Sequence, residues 1–151
     1  MYQKILVVID GFSGSSHPVY GQATQLAKSH RARLRLLHVL PTRQEPVRRP
    51  AAGGMGDSTT VAIASSSLWK RFDRRCMELL KRYADQATAQ GIHTDYQQVR
   101  GNIDTVICNA ARDWSADLLV LSHPEAEIDH ATDPDILSQV PCSTLFVKPA
   151  A

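Results

Sequence analysis

Ser122 and His123 stand side by side directly after the apolar run Leu118-Leu119-Val120-Leu121, where a hydroxyl and an imidazole could act as nucleophile and base of a hydrolase. Nothing around them completes that chemistry. There is no G-x-S-x-G elbow, and residues adjacent in sequence rarely point at each other. The same segment continues through Glu125, Glu127, Asp129, His130, Asp133 and Asp135 without a Lys or Arg. His123, Asp129, His130 and Asp133 offer the imidazole and carboxylate groups that divalent metals accept, but their spacing fits no metal motif and a solvated acidic loop explains them. No metal site is expected. Near the amino end, Gly11, Ser13, Gly14, Ser15 and Ser16 resemble a phosphate loop only superficially, because the lysine and hydroxyl positions of G-x-x-x-x-G-K-[ST] are missing. Lys70, Arg71, Arg74, Arg75, Lys81 and Arg82 form a basic run offset by Asp73 and Glu78. A solvated helix face with i,i+3 and i,i+4 pairs accounts for most of it, with RNA or an acidic partner protein as the alternatives.

The elements that would have to position these groups can be read from pattern. Ile5-Leu6-Val7-Val8-Ile9 is a continuous, β-branched apolar run, which suits a strand buried on both faces of a parallel sheet. The Gly11–Ser16 turn then leads into a helix with Pro18 in its first turn and Val19, Ala23, Leu26 and Ala27 at helical spacing. Leu34 to Val39 reads as a second strand, closed by Pro41. Residues 41–63 hold Pro41, Pro46, Pro50, Gly53, Gly54 and Gly56 with few large apolar side chains, and are expected to form a flexible loop. From Ser65 to Ala89 the stripe Leu68, Phe72, Cys76, Leu79, Leu80, Tyr83 and Ala87 predicts a long helix ended by Gly91. Thr94–Arg100 is a third strand. Ile103, Val106, Ile107, Ala110, Ala111 and Trp114 then mark a helix, with Trp114 on its apolar stripe, while Trp69 lies off the stripe of its own helix and is a candidate for an interface. Asp117–Leu121, a short helix over Pro134–Gln139, and Ser143–Val147 complete the series. Alternating strands and helices predict an α/β, three-layer α/β/α fold around a parallel sheet with right-handed crossovers.

Bulk properties narrow the function. A chain of 151 residues fits one domain, 1–151, able to bury a core without metal or disulfide staples. The net charge of +2 and 6% aromatic content argue against nucleic acid as a partner. Cys76, Cys108 and Cys142 are far apart, odd in number and without CxxC spacing, so they read as reduced thiols rather than a disulfide or zinc framework. The apolar run at Ile5–Ile9 is too short for a membrane span or signal core, so a cytoplasmic protein is expected.

Along nearly its whole length the chain resembles the universal stress protein family. The resemblance rests on Lys4-Ile5-Leu6-Val7-Val8-Ile9-Asp10-Gly11-Phe12-Ser13, Leu36-Leu37-His38-Val39, Gly101-Asn102, Ala116-Asp117-Leu118-Leu119-Val120-Leu121 and Val140-Pro141-Cys142, in that order. It implies a five-stranded parallel sheet in the order 3-2-1-4-5, a Rossmann-like arrangement of the adenine nucleotide alpha hydrolase type, and a homodimer paired through the last strand. It also implies an adenosine pocket in which Asp10 faces adenine and ribose, Val39 offers backbone contacts to the base, and Ser122 lies at the end of the fourth strand. Each has a plainer reading: Asp10 as a turn-forming cap before Gly11, and Val39 as core packing.

Family members that bind ATP resemble one another after the fourth strand, where G-x-x-G, about nine further residues and a Gly-Ser/Thr pair hold the phosphates. Here Pro124 stands near the first of those glycines, acidic residues 125–135 come next, and no glycine occurs after Gly101. Proline lacks an N–H, side chains block close backbone approach, and carboxylates repel phosphate. The expectation is a non-enzymatic stress-response or regulatory protein, without a cofactor, that does not bind ATP tightly and works with a regulatory partner protein. The alternative is a sensor of adenine nucleotides (AMP, ADP or ATP) or adenosine with a divergent phosphate site.

Overall fold

The computed structural model describes residues 1–9, 16–40, 58–122 and 139–148, with Ser16 and 58–69 described in backbone only. Its elements run β1 (Lys4–Val8), α1 (Ser16–His30), β2 (Arg33–Leu40), α2 (Ser58–Ala89), β3 (Thr94–Arg100), α3 (Ile103–Trp114), β4 (Leu118–Ser122) and β5 (Ser143–Val147). The strands form one sheet in the order β3-β2-β1-β4-β5, with every neighbouring pair parallel. Helix α2 begins at Ser58, earlier than the hydrophobic stripe indicates, so 58–63 of the expected loop are helical. No Pro or Gly stands between Asp57 and Ala89, and nothing local stops the helix from extending back. The remainder of that loop, 41–57, the expected helix at 134–139 save Gln139, and the Trp69 side chain lie outside the described residues.

Strand β1 is central, and its alternation sorts the core into two layers. Ile5, Val7 and Ile9 pack with Val19, Ala23 and Ala27 of α1 and Leu80, Tyr83, Ala84 and Ala87 of α2. Leu6 and Val8 turn the other way, toward Val106, Ile107, Cys108 and Ala111 of α3. Side chains along a strand point to opposite faces in turn, so one apolar run serves both layers. Between α1 and α2 the rings of Tyr20 and Tyr83 stack with centroids 4.4 Å apart, and the Tyr20 hydroxyl donates to the Tyr83 carbonyl at 3.1 Å. One member of the expected α2 stripe departs from it: Phe72 is 39% exposed, at the margin of the buried sector centred on Cys76 and Leu80.

A single carboxylate ties the start of β1 to the start of β4. Asp117 Oδ2 accepts from the Gln3 N–H at 2.8 Å and Oδ1 from the Lys4 N–H at 3.0 Å, while the Asp117 N–H donates to the Lys4 carbonyl at 3.0 Å. Lys4 Nζ in turn donates to the Trp114 carbonyl at 3.1 Å, near the end of α3, where a cation answers the helix dipole. Ser115, in the left-handed region at φ 57°, ends that helix and lets the chain turn down into β4.

Cys76, Cys108 and Cys142 are free. Burial, reinforced by Asp73, pushes the Cys76 thiol up to about 11, and burial raises Cys108 and Cys142 as well, which leaves all three poor nucleophiles at neutral pH.

Asp117→Ala removes two charge-assisted bonds to main-chain donors and should lower stability by about 1.5–3 kcal/mol, read from urea unfolding. Asp117→Asn, which keeps one acceptor oxygen, should recover part of the loss. An alanine variant within about 0.5 kcal/mol of the parent, the range of an ordinary surface change, would show that the clamp is idle.

Candidate functional site at the carboxyl end of the central strand

The strands do not end together. The β1–β2 ladder closes with the Ile9 N–H donating to the Leu37 carbonyl at 2.8 Å, whereas β2 runs on to Leu40 alongside β3. On the other side β1 pairs with β4 only as far as Val7 with Val120, while β4 continues to Ser122 paired with Val147 of β5. Within the sheet this leaves a one-sided notch at the carboxyl end of β1: Val39 and Leu40 run one and two residues past Ile9, while Ser122, by the β1–β4 register, stands level with it. This is the point where strand order reverses about β1, and open α/β sheets bind ligands in such crevices. Main-chain groups alternate in direction along a strand, so those of Val39, two residues beyond Leu37, aim to the same side and past the last β1–β2 bond.

The rim of the β2 wall is held by a bend that only glycine takes comfortably. Gly101 has φ 155° and donates to the Leu40 carbonyl at 2.9 Å, and a Cβ placed on it would lie 2.9 Å from Val106 Cγ2. Asn102 then caps α3, its side-chain oxygen accepting from the N–H groups of Asp104 and Thr105 at 3.0 and 3.3 Å.

Behind that wall lies a polar network that joins the sheet to α2. His38, 5% exposed, shares its face of β2 with Leu34 and Leu36. Gln98 Nε2, in register with it on β3, lies 3.1 Å from His38 Nδ1 and donates to the Asp73 carbonyl of α2 at 3.2 Å. A carbonyl oxygen only accepts, so the Gln98 amide nitrogen must face Asp73, and His38 Nδ1 must be the unprotonated, accepting nitrogen. The Asp73 carboxylate is held separately, by Arg100 Nη2 at 3.0 Å. Burial pushes the His38 imidazole below its ordinary value, against the opposing pull of Asp73.

Of the residues expected to form an adenosine pocket, Val39 and Ser122 lie on the strands either side of Ile9, and Asp10 lies outside the described residues. Val39 also packs on the α3-side core, so the two readings of it coexist: its side chain fills the interior while its main chain faces the notch. The Ser122–His123 pair and the metal candidates His123, Asp129, His130 and Asp133 cannot be assembled, since all but Ser122 lie outside the described residues. Among the described residues no group of His, Cys, Asp or Glu could hold a metal ion, and no helix is long and apolar enough to cross a membrane. Sequence reading missed the roles of Gln98 and Asp73. The signal was faint: a polar residue in β3 becomes a partner for His38 only once the register is known.

At the opposite end of the sheet a shallow groove of about 330 Å³ runs beside Trp114, Arg33 and His93. It lies far from the carboxyl end of β1 and is lined by a charged pair and an aromatic ring. Arg35 forms a two-pronged pair with Asp95 at 2.7 and 2.9 Å and lies 4.6 Å from the centre of the Trp114 ring. Trp114, expected in the core, sits half-buried at its rim beneath this guanidinium.

The model of the universal stress protein family matches residues 1–148. No curated protein matches the sequence. Among solved structures, a universal stress family protein from Burkholderia pseudomallei is similar at 22% identity, with a TM-score of 0.67 over 99% of this chain and 97% of that one. A universal stress protein solved in complex with cAMP is similar at 19% identity and TM-score 0.68, covering 99% of both chains. An Arabidopsis thaliana family protein with AMP bound is similar at 14% identity and TM-score 0.68, over 99% of this chain and 93% of that one. At these identities the likeness is one of fold.

The His38 network sets a pH dependence. The unfolded chain takes up a proton on this imidazole near pH ~6.5, and the folded chain only at lower pH, so the stability it contributes is present above that value and lost as pH falls below it. His38→Gln, which keeps an acceptor for Gln98, should flatten the fall in unfolding free energy between pH 7 and pH ~5. An unchanged slope would remove His38 from the account.

Proposed function

We propose that this chain, which belongs to the universal stress protein family, acts as a non-enzymatic stress-response or regulatory protein of the cytoplasm that works through its surfaces and does not hold ATP tightly. The observation that carries this reading is the sequence after Ser122. Where ATP-binding relatives resemble one another in glycines, it has Pro124, then Glu125, Glu127, Asp129, Asp133 and Asp135, and no glycine. Two like charges about 4 Å apart repel by roughly 4 kcal/mol at an effective dielectric of 20. One carboxylate held that close to a triphosphate would therefore weaken binding by about three powers of ten.

The notch at the end of β1 supports a second reading, in which the base-binding half of the site is retained for AMP or adenosine. The Val39 main chain aims into the notch, and two proteins of the same fold were solved with AMP or cAMP. A ligand with less phosphate escapes most of the repulsion. For assembly, we propose a homodimer paired through β5, a sheet-edge strand whose Thr144, Leu145 and Phe146 are only half-buried in the single chain. An edge strand with unpaired main-chain groups is a ready template for a second copy.

Native mass spectrometry should find a species of twice 16.7 kDa with no nucleotide attached. Calorimetric titration should give no heat with ATP at up to about 1 mM, a range that spans weak binding. Copurified or tightly bound ATP would overturn the main reading. Heat from AMP or adenosine alone would establish the second, and a monomer at micromolar concentration would remove the β5 dimer.

A further inference from the structure

Helix α2 separates its charges from its apolar residues more sharply than its sequence suggests. Cys76, Leu80, Tyr83, Ala84 and Ala87 are buried against the sheet, and Lys70, Arg71, Arg74, Arg75, Lys81 and Arg82 are all exposed. At 100° per residue these cations occupy a sector about 140° wide, opposite the buried face. The spacing of Asp73 and Glu78 predicts that they balance these cations by i,i+3 and i,i+4 pairing, and they do not. Asp73 lies on the sheet-facing side of the helix, where its carboxylate pairs with Arg100 of β3 and its side chain is only 17% exposed, so it does not face the cations. Glu78 makes no ion pair among the described residues, nor does any of the cations. Glu78 and Asp85 are the acidic groups left in the sector.

We infer that this face of α2 is a docking surface for an acidic segment of a partner protein. The inference rests on the proposed surface-acting function and names where the partner binds and what its chemistry is. Four arginines present planar forks that suit paired carboxylates, on a rigid helix anchored by its buried side. Phe72 borders the cationic sector and is exposed, which supplies an apolar anchor of the kind that, with Arg, dominates binding energy at protein interfaces. The remaining acids decide between polyanions. A phosphodiester strand along the sector would bring phosphates up to Glu78 and Asp85, where like charges repel. A polypeptide can place a neutral or basic side chain opposite each and keep its carboxylates for the arginines.

The test uses the full-length protein and a fluorescein-labelled peptide of about 20 residues made of Glu and Ala with one central Leu, long enough to span the sector as a helix. Fluorescence anisotropy should show saturable binding in about 50 mM salt, weakened about tenfold in about 200 mM. The double charge reversal Arg71→Glu with Arg75→Glu should cost about tenfold or more, while Arg71→Lys with Arg75→Lys retains most of the affinity, and Phe72→Ala should cost about threefold. These are exposed positions, and an unchanged circular dichroism spectrum would tie the loss to the surface. Absence of saturable binding at low salt, or equal binding by the reversed variant, would overturn the inference. So would tighter binding of a single-stranded DNA of about 20 nucleotides than of the peptide in the same buffer, since the surface would then belong to nucleic acid. Failure here leaves the nucleotide titration untouched: with no nucleotide bound, the regulatory reading stands and its surface lies elsewhere, whereas tight ATP binding would defeat that reading whatever the peptide does.

Discussion

Everything in the sheet is referred to β1, a strand bonded along both edges and buried on both faces. Its hydrogen bonds to β2 and β4 set the register of the two halves of the molecule, and its alternating side chains assign α1 and α2 to one layer and α3 to the other. Such a strand has no freedom to slip, since a shift by one residue would exchange its two faces and unpack both layers at once. Asp117 locks the same register from the end, by holding the first main-chain donors of β1 against the start of β4.

The notch is a consequence of the same strand being short. Because β2 continues past the last residues that β1 pairs with, the carboxyl end of the sheet is stepped beside β1, and the step needs no special residue to create it. A relative that binds a nucleotide and one that does not can therefore share this geometry. What separates two such relatives is the chemistry of the loops beyond the strand ends, where glycines let a backbone come close to phosphate and larger or acidic side chains do not. Scaffold and ligand chemistry are separable in this fold, and function has to be argued from the latter.

Among the described residues, buried polar groups serve as fasteners between elements. Gln98 serves two acceptors with one amide nitrogen, so His38 is held neutral and α2 is held to β3 through Asp73. The same residue, Asp73, sends its carboxylate to Arg100. Because Asp73 lies on the sheet-facing side of α2, it gives the cations of the outer side no counter-charge, although it is their neighbour in sequence. A net charge of +2 for the chain thus conceals a strongly basic helix face compensated elsewhere.

Much of this architecture is legible in the residues. The five strands, α1, the long helix and α3 can be read from apolar period, and the sheet order from the resemblance carried by motifs such as Leu36-Leu37-His38-Val39. Phe72 escapes such a reading because it falls on the i,i+4 row with Cys76, yet its position at the edge of the buried sector leaves it outside; periodicity states a direction, not how far the neighbouring layer reaches. The true start of α2 escapes it because Ser58–Ala64 has no apolar stripe to announce it, only the absence of a breaker. What the sequence by itself determined was local: which segments are strands or helices, which face of each is apolar, and that the segment after β4 is acidic and without glycine. The pairings of Asp117 with Gln3 and Lys4, of Gln98 with His38 and Asp73, and of Arg100 with Asp73 were decided only by the tertiary structure. Each joins groups far apart in the chain, brought within hydrogen-bond distance by the register of parallel strands or, for Asp73, by the packing of α2 against β3, and no pattern of neighbours along the sequence encodes either.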